Sequence, residues 1–231
     1  MEAKHIETAT RVGAYTAIAG SLCALTGAAL WGLSGADLDA ALATGDTASY
    51  LTAAGDASLM LVTNLTIWIV MIFLMGIAAT AMASLSGHRP VIARFAMFCY
   101  WVGAPLVMAA YVAWLAVVVQ IAPATSPEAI MAAEVVGWFA SRADWVATIL
   151  VLGIGPPLLS LAGREDWVPT WLARWSVLTA VAGVLNAVAM LTGGSGLTTY
   201  GFVIIPIGVG WMLAAGIVLF RQIGALQRQT A

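Results

Sequence analysis

Apolar residues run on for about 20 positions at a time in this chain, and polar residues gather in the short intervals between those runs. Six runs are expected to cross a membrane: 11–33, 58–84, 93–121, 143–162, 174–192 and 199–220. A helix rising about 1.5 Å per residue needs about 20 such residues to span a hydrocarbon core about 30 Å thick. The third run is longer and is expected to tilt. The predicted fold is all-α: a polytopic bundle of six transmembrane helices forming one integral membrane domain over residues 1–231. Lipid leaves no other way to satisfy the backbone of such segments.

The charges between the runs predict orientation. Lys4 and Arg11 precede the first run, Arg89 and Arg94 lie between the second and third, Arg164 and Arg174 between the fourth and fifth, and Arg221 and Arg228 follow the sixth. All eight fall on one side, which the positive-inside rule makes the cytoplasm, with both termini there. Arg142 alone falls on the other side, among Asp37, Asp39, Asp46, Asp56, Glu128, Glu134 and Asp144. The expected location is the cell (inner) membrane, with Lys4 and Arg11 leading into a retained first span rather than a cleaved signal.

The outer connections are long enough to carry structure. Residues 35–57 are alanine-rich and acidic and predict short amphipathic helices on the outer face. In the next outer connection, Ser126-Pro127-Glu128 reads as an N-cap, a proline at the first helical position and a carboxylate at the positive helix end. The helix it starts, with Ile130, Met131, Val135, Trp138 and Phe139, is expected to lie flat at the interface. Gly193-Gly194-Ser195-Gly196 predicts a flexible turn. On the inner side, Trp167, Trp171 and Trp175 are spaced by four around Pro169; one helical stripe would set all three rings at headgroup level as anchors. A docking site for another subunit is the alternative reading of that stripe.

Small residues predict how the spans pack, since lipid gives no hydrophobic drive for helix association. Gly13, Ala17, Gly20, Ala24 and Gly27 line the first span. Ala180, Gly183 and Ala187 line the fifth, and Gly208, Gly210, Ala214 and Gly216 the sixth. These faces suit contacts within the chain, or with a second copy or another membrane subunit. Pro105, Pro156, Pro157 and Pro206 are expected to kink the third, fourth and sixth spans. If the chain is two inverted three-span halves, Pro105 and Pro206 break the last span of each, the arrangement of a transporter site. The segment from Thr16 to Gly20 matches that from Thr179 to Gly183, too short a likeness in alanine-rich text to establish a repeat.

Composition narrows the chemistry. Hydrophobic residues make up 62% of the chain and charged residues 9%, with a mean hydropathy of +0.97. A soluble domain is about 25% charged. The net charge of −2 gives no footprint for nucleic acid. The single lysine, Lys4, precedes the first span, which excludes a retinal Schiff base inside the bundle. His5 and His88 also lie outside the spans, so neither a bis-histidine haem nor a histidine-rich metal centre fits there. Cys23 and Cys99 differ in depth by roughly 10 Å on their helices and are expected to be unpaired packing residues. The sequence holds no Walker A loop and no nucleophile elbow. No cofactor and no metal are expected.

A thin set of polar residues remains at membrane depth: Thr63, Asn64 and Thr66, then Tyr111, Thr148 and Asn186, roughly 8–15 Å from the outer ends of their helices. Asp56, Gln120, Arg142, Asp144 and Tyr200 lie above them. The functional reading is an outward-opening pocket lined by Asn64, Tyr111, Thr148 and Asn186, with Asp56 and Asp144 at its margin. The bland reading is that Asn64 and Asn186 hydrogen-bond between helices as glue, and that Arg142 and Asp144 form an interfacial pair.

Several stretches resemble the DUF4386 family of uncharacterised bacterial six-helix membrane proteins. They are the opening from Arg11 to Gly20 (Arg-Val-Gly-Ala-Tyr-Thr-Ala-Ile-Ala-Gly), the loop with Gly45-Asp46, and the close from Gly216 to Arg221. The resemblance implies a six-span bundle and no assigned activity. Three classes of function follow. The chain binds a lipid-like or other hydrophobic molecule without catalysis, or serves as an accessory subunit. Alternatively it is a small secondary transporter with a cavity near Pro105 and Pro206. Alternatively it is a membrane-embedded enzyme acting on a lipid, with Asp56 or Asp144 facing the Asn64 layer. The expected partners are the bilayer, a hydrophobic ligand, and further copies or other membrane subunits.

Overall fold

The computed structural model describes residues 2–192 and 196–230, and these form only helices and short turns. The helices are α1 (Glu2–Ser34), α2 (Leu38–Thr44), α3 (Thr47–Asp56), α4 (Ser58–Ser84), α5 (Pro90–Ala116), α6 (Pro127–Thr148), α7 (Gly155–Ala162), α8 (Thr170–Thr192) and α9 (Gly196–Thr230). Two π-helical segments, Val117–Ile121 and Ile149–Ile154, prolong α5 and join α6 to α7. The turn expected at 193–196 falls, but for Gly196, outside the described residues.

Six helical stretches are long and apolar enough to span a membrane: Lys4–Ser34, Ser58–Ser84, Pro90–Ile121, Pro127–Ala162, Thr170–Thr192 and Val203–Gly224. Phe73, Phe98, Val184, Val188 and Leu191 stand exposed on the outside of the bundle while a second apolar set fills its interior. Contiguous apolar surface on that scale does not face water. The protein is a multi-pass membrane protein.

The fourth span differs from expectation. The helix that Ser126 caps, by accepting from the Ala129 N–H at 3.3 Å, runs on into Ile149–Ile154 and α7 as one continuous helical rod. The helix expected to lie separately at the interface is therefore the first half of that span. The proline that starts it sits at its first turn, where no intrahelical N–H bond is lost, and the π segment and Pro156-Pro157 come only in its second half. The other two short helices are separate. Asp37 caps α2 by accepting from Ala40 N–H at 3.0 Å, and Gly45 ends it in the left-handed region, φ 75°. Asp46 then caps α3.

Consecutive spans pack side by side and α9 returns to α1, so the six form a closed ring in sequence order. The small residues set the approach. A Cβ on Gly27 would lie 2.2 Å from Trp68 Nε1, and one on Gly20 3.3 Å from Leu74 and Met75 side chains. Gly216 abuts Ala17 and Ile18 of α1. Gly153 and Gly183 meet backbone to backbone, each 2.8 Å from where the other's Cβ would reach. The glycine faces of the first, fifth and sixth spans are thus used inside the chain.

The prolines fall in three settings. Pro105 and Pro206 lie within α5 and α9 and are exposed on the surface of the bundle. Pro156 and Pro157 occupy the first turn of α7, just after the π segment. The tryptophan stripe also needs correcting. Pro169 cannot continue a helix, so Trp167 lies in the turn before α8, buried, donating to Ser86 Oγ at 3.2 Å with its indole against Gly163. Trp171 is exposed and Trp175 packs against Gly210, their rings 6.5 Å apart. Trp167 is a packing residue, and of the three only Trp171 faces fully outward.

Candidate functional site

The residues read as a polar layer do not line one open pocket. Asn64 is fully buried and donates through Nδ2 to the Gly27 carbonyl at 2.7 Å, tying α4 to α1. Asn186, also fully buried, donates to Ala182 O at 3.0 Å, one turn back on α8. Thr63 and Thr66 turn outward and bond their own helix. Thr148 is half-buried at the start of the π segment. Asp56 is exposed at the end of α3, so it does not face the Asn64 layer and drops out of the site.

Tyr111 and Asp144 do come together, from α5 and α6. The phenol is the polar neighbour of the Asp144 carboxyl. Asp144 Oδ1 has no solvent contact and no hydrogen-bond donor. Among the described residues Arg142 makes no ion pair with Asp144: it donates to Ser141 Oγ at 3.1 Å and lies over the Trp138 ring, 5.6 Å from its centre. The expected interfacial pair does not form because residues two apart on a helix point to different faces.

A second carboxylate completes the cluster. Asp39, in the first turn of α2, accepts from Ser141 Oγ and, at 3.0 Å, from Trp145 Nε1. Burial pushes its carboxyl above the ordinary 3.8, against those two hydrogen bonds, and Arg142 helps to offset its charge. It lies within electrostatic reach of Asp144 and Tyr111. Ser141 and Trp145 sit one turn apart on α6 and so present donors to one acceptor, while Asp144 looks toward α5. In the sequence Asp39 is one outer-loop acid beside Asp37 and Asp46. Nothing in its local sequence sets it apart; only the docking of α2 on α6 does.

An aromatic wall adjoins this cluster. Trp68 and Tyr111 rings lie 5.4 Å apart, and Tyr111 and Trp114 6.5 Å apart. Trp114 Nε1 donates to Tyr50 OH at 2.9 Å, joining α5 to α3, and Trp68 Nε1 donates to Ala24 O at 3.3 Å. Thr47 Oγ1 donates to Glu134 Oε1 at 3.2 Å, a further tie between α3 and α6. The cap of short helices is thus held by named polar bonds over a floor of rings.

Chemically the arrangement offers acceptors rather than nucleophiles: a carboxyl with one unfilled oxygen, a phenol beside it, and π faces around both. No group of three or more His, Cys, Asp or Glu able to hold a metal occurs among the described residues. Cys23 and Cys99 are unpaired thiols. No family model, no curated protein and no solved structure matches this chain.

Proposed function

We propose that this chain binds, without transforming it, a small hydrophobic molecule carrying a cationic or hydrogen-bond-donating group, and that the group is held at Asp144. The observation that carries the reading is the buried Asp144 Oδ1 without a donor, in a carboxyl close to Asp39, which by contrast has both Ser141 and Trp145 as donors. A buried acceptor left unfilled costs about 1–3 kcal/mol, more if charged, and a ligand donor would recover it. Trp68, Tyr111 and Trp114 supply the apolar and π surface that a lipophilic cation prefers. An ionisable side chain within a span is by default a functional candidate.

The basic end of the bundle, with both termini, is proposed to face the cytoplasm, on the strength of the eight arginines and lysines gathered there. The site then lies toward the outer face of the cell membrane, roofed by α2 and α3. Equilibrium binding of labelled tetraphenylphosphonium to the purified full-length protein tests the reading. Saturable binding is expected, weakened at least about tenfold in Asp144→Asn, where the ion pair is lost, and unchanged in Asp56→Asn. Asp144→Asn should also unfold at a higher temperature than the parent, because it replaces an unfilled charged acceptor. Absence of saturable binding, or equal binding by Asp144→Asn, would sink the proposal.

Transport is the second reading, favoured by one observation: the Ile149–Ile154 π segment and Pro156-Pro157 follow closely on Asp144 in the same span. Such bulges often mark functional sites. Protein reconstituted in vesicles would then exchange the same labelled cation across the bilayer, whereas a binding protein would only retain it.

A further inference from the structure

At the opposite end of the molecule α1 and α9 enclose a groove of about 420 Å³, lined by Arg11, Tyr15, Phe220, Arg221, Ile223 and Gly224. The two guanidinium groups come from different helices, one from the first span and one from the last. Tyr15 follows Arg11 by one turn and so shares its face; Phe220 adjoins Arg221, and its ring meets Tyr15 edge to face at 6.0 Å. Tyr15 and Phe220 are 57% and 49% exposed, an apolar surface continuing down the outside of two spans. Gly224 leaves the groove open beside α9, with no side chain to fill it.

From this placement we infer that the groove is a binding site for the phosphate of an anionic phospholipid, with the arginines on the headgroup and the acyl chains along Tyr15 and Phe220. Arginine matches phosphate with a planar fork of donors. Basic pockets between spans at a membrane surface suit such headgroups. The apolar outer wall argues for a lipid rather than free phosphate, which would gain nothing from exposed rings. Glu7 tempers the site: its carboxylate holds one Arg11 nitrogen at 2.7 Å, leaving the remaining N–H donors of that fork for the ligand. A phosphate must therefore compete with Glu7, which makes the sign of one variant diagnostic.

The test is native mass spectrometry of the full-length protein in detergent with equal added phosphatidylglycerol and phosphatidylcholine. Preferential retention of phosphatidylglycerol is expected, reduced about fivefold in Arg221→Gln and in Arg11→Gln, and increased in Glu7→Gln. All three side chains are at the surface, so melting temperatures near that of the parent are expected and are measured alongside. If Arg11→Gln fails to fold, Arg221→Gln carries the test alone. Equal retention of the two lipids, or indifference to Arg221→Gln, overturns the inference. Displacement of phosphatidylglycerol by millimolar inorganic phosphate would assign the groove to the free anion and overturn the lipid form of it.

Discussion

The two ends of this bundle solve the same problem in opposite ways. At the capped end several acidic residues are drawn inward, although Asp46, Asp56 and Glu128 stay exposed. Asp39 is held by Ser141 and Trp145, Glu134 by Thr47, and the roof helices are tied to the spans by bonds such as Trp114 to Tyr50. At the basic end the charges stay at the surface. Arg89 meets Glu165 and His88 meets Asp166, each at 2.6 Å, linking the turn 85–89 to the turn 163–169. Exposed pairs of that kind contribute little, because water and salt screen them. Buried charge-assisted bonds contribute more and fix one geometry. The capped end is therefore where structure and a candidate site coincide, while the basic end keeps its charges in exposed pairs.

Removing the acceptor at the capped end should have the largest effect. Asp39→Ala strands the Trp145 indole N–H and the Ser141 hydroxyl, and is expected to cost about 3 kcal/mol, read from thermal unfolding in detergent. A loss below about 0.5 kcal/mol would place α2 among the dispensable parts. The same comparison can be made with glycines on one helix. Gly27→Ala drives a Cβ into the Trp68 indole and should cost about 1–3 kcal/mol, whereas Gly13→Ala meets the tip of Leu219 at 3.0 Å and the Ala81 Cβ at 3.4 Å and should cost clearly less. Equal costs would mean that both ends are equally yielding.

Asn64→Ala removes the bond to Gly27 O and should cost about 1 kcal/mol, in the range of interhelical bonds inside membranes. It should leave cation binding intact, because Asn64 is glue rather than lining. The smallest effect is expected from pH. The hydrogen bond and charge of Asp166 raise the His88 pKa above its ordinary 6.5. The folded state then holds that proton more tightly, so its stabilising effect is complete below about 6.5 and lost as pH rises through the raised value. A fall in melting temperature from about pH 6 to about pH 9 should therefore be shallower in His88→Gln. Asp39 has the same sign in a lower window: burial raises its carboxyl, so stability falls as pH climbs above about 3.8. An acid-side gain that persists in Asp39→Ala would assign it to other carboxyls.

Much of the fold was legible because hydropathy adds up along a segment. A run such as 58–84 is apolar all round, so the span could be read without knowing which face turns inward, and the structure bounds it at the same residues. Length misled where two helices joined. The first half of the fourth span opens on the cap Ser126-Pro127-Glu128 and carries Glu134 and Arg142 beside Ile130, Met131, Val135, Trp138 and Phe139, a mixture that reads as an interfacial helix until α2, α3 and α5 are packed around it. The candidate site was half legible. Tyr111 and Asp144 were named and do meet. Asn64 and Asn186 donate instead to backbone carbonyls, and Asp39 carries no local signal that sets it apart from the other outer acids.

The sequence by itself determined that this chain crosses a membrane six times and that one end is basic and the other acidic. Both are sums over residues and do not depend on how the helices are rotated. Only the tertiary structure decided which polar groups are satisfied and which Asp oxygen is left open. Asp39 finds its donors 102 and 106 positions away. Whether a side chain meets such a partner depends on the rotation and docking of whole helices; for α2 on α6 the close contact is Gly137 against the Leu38 side chain.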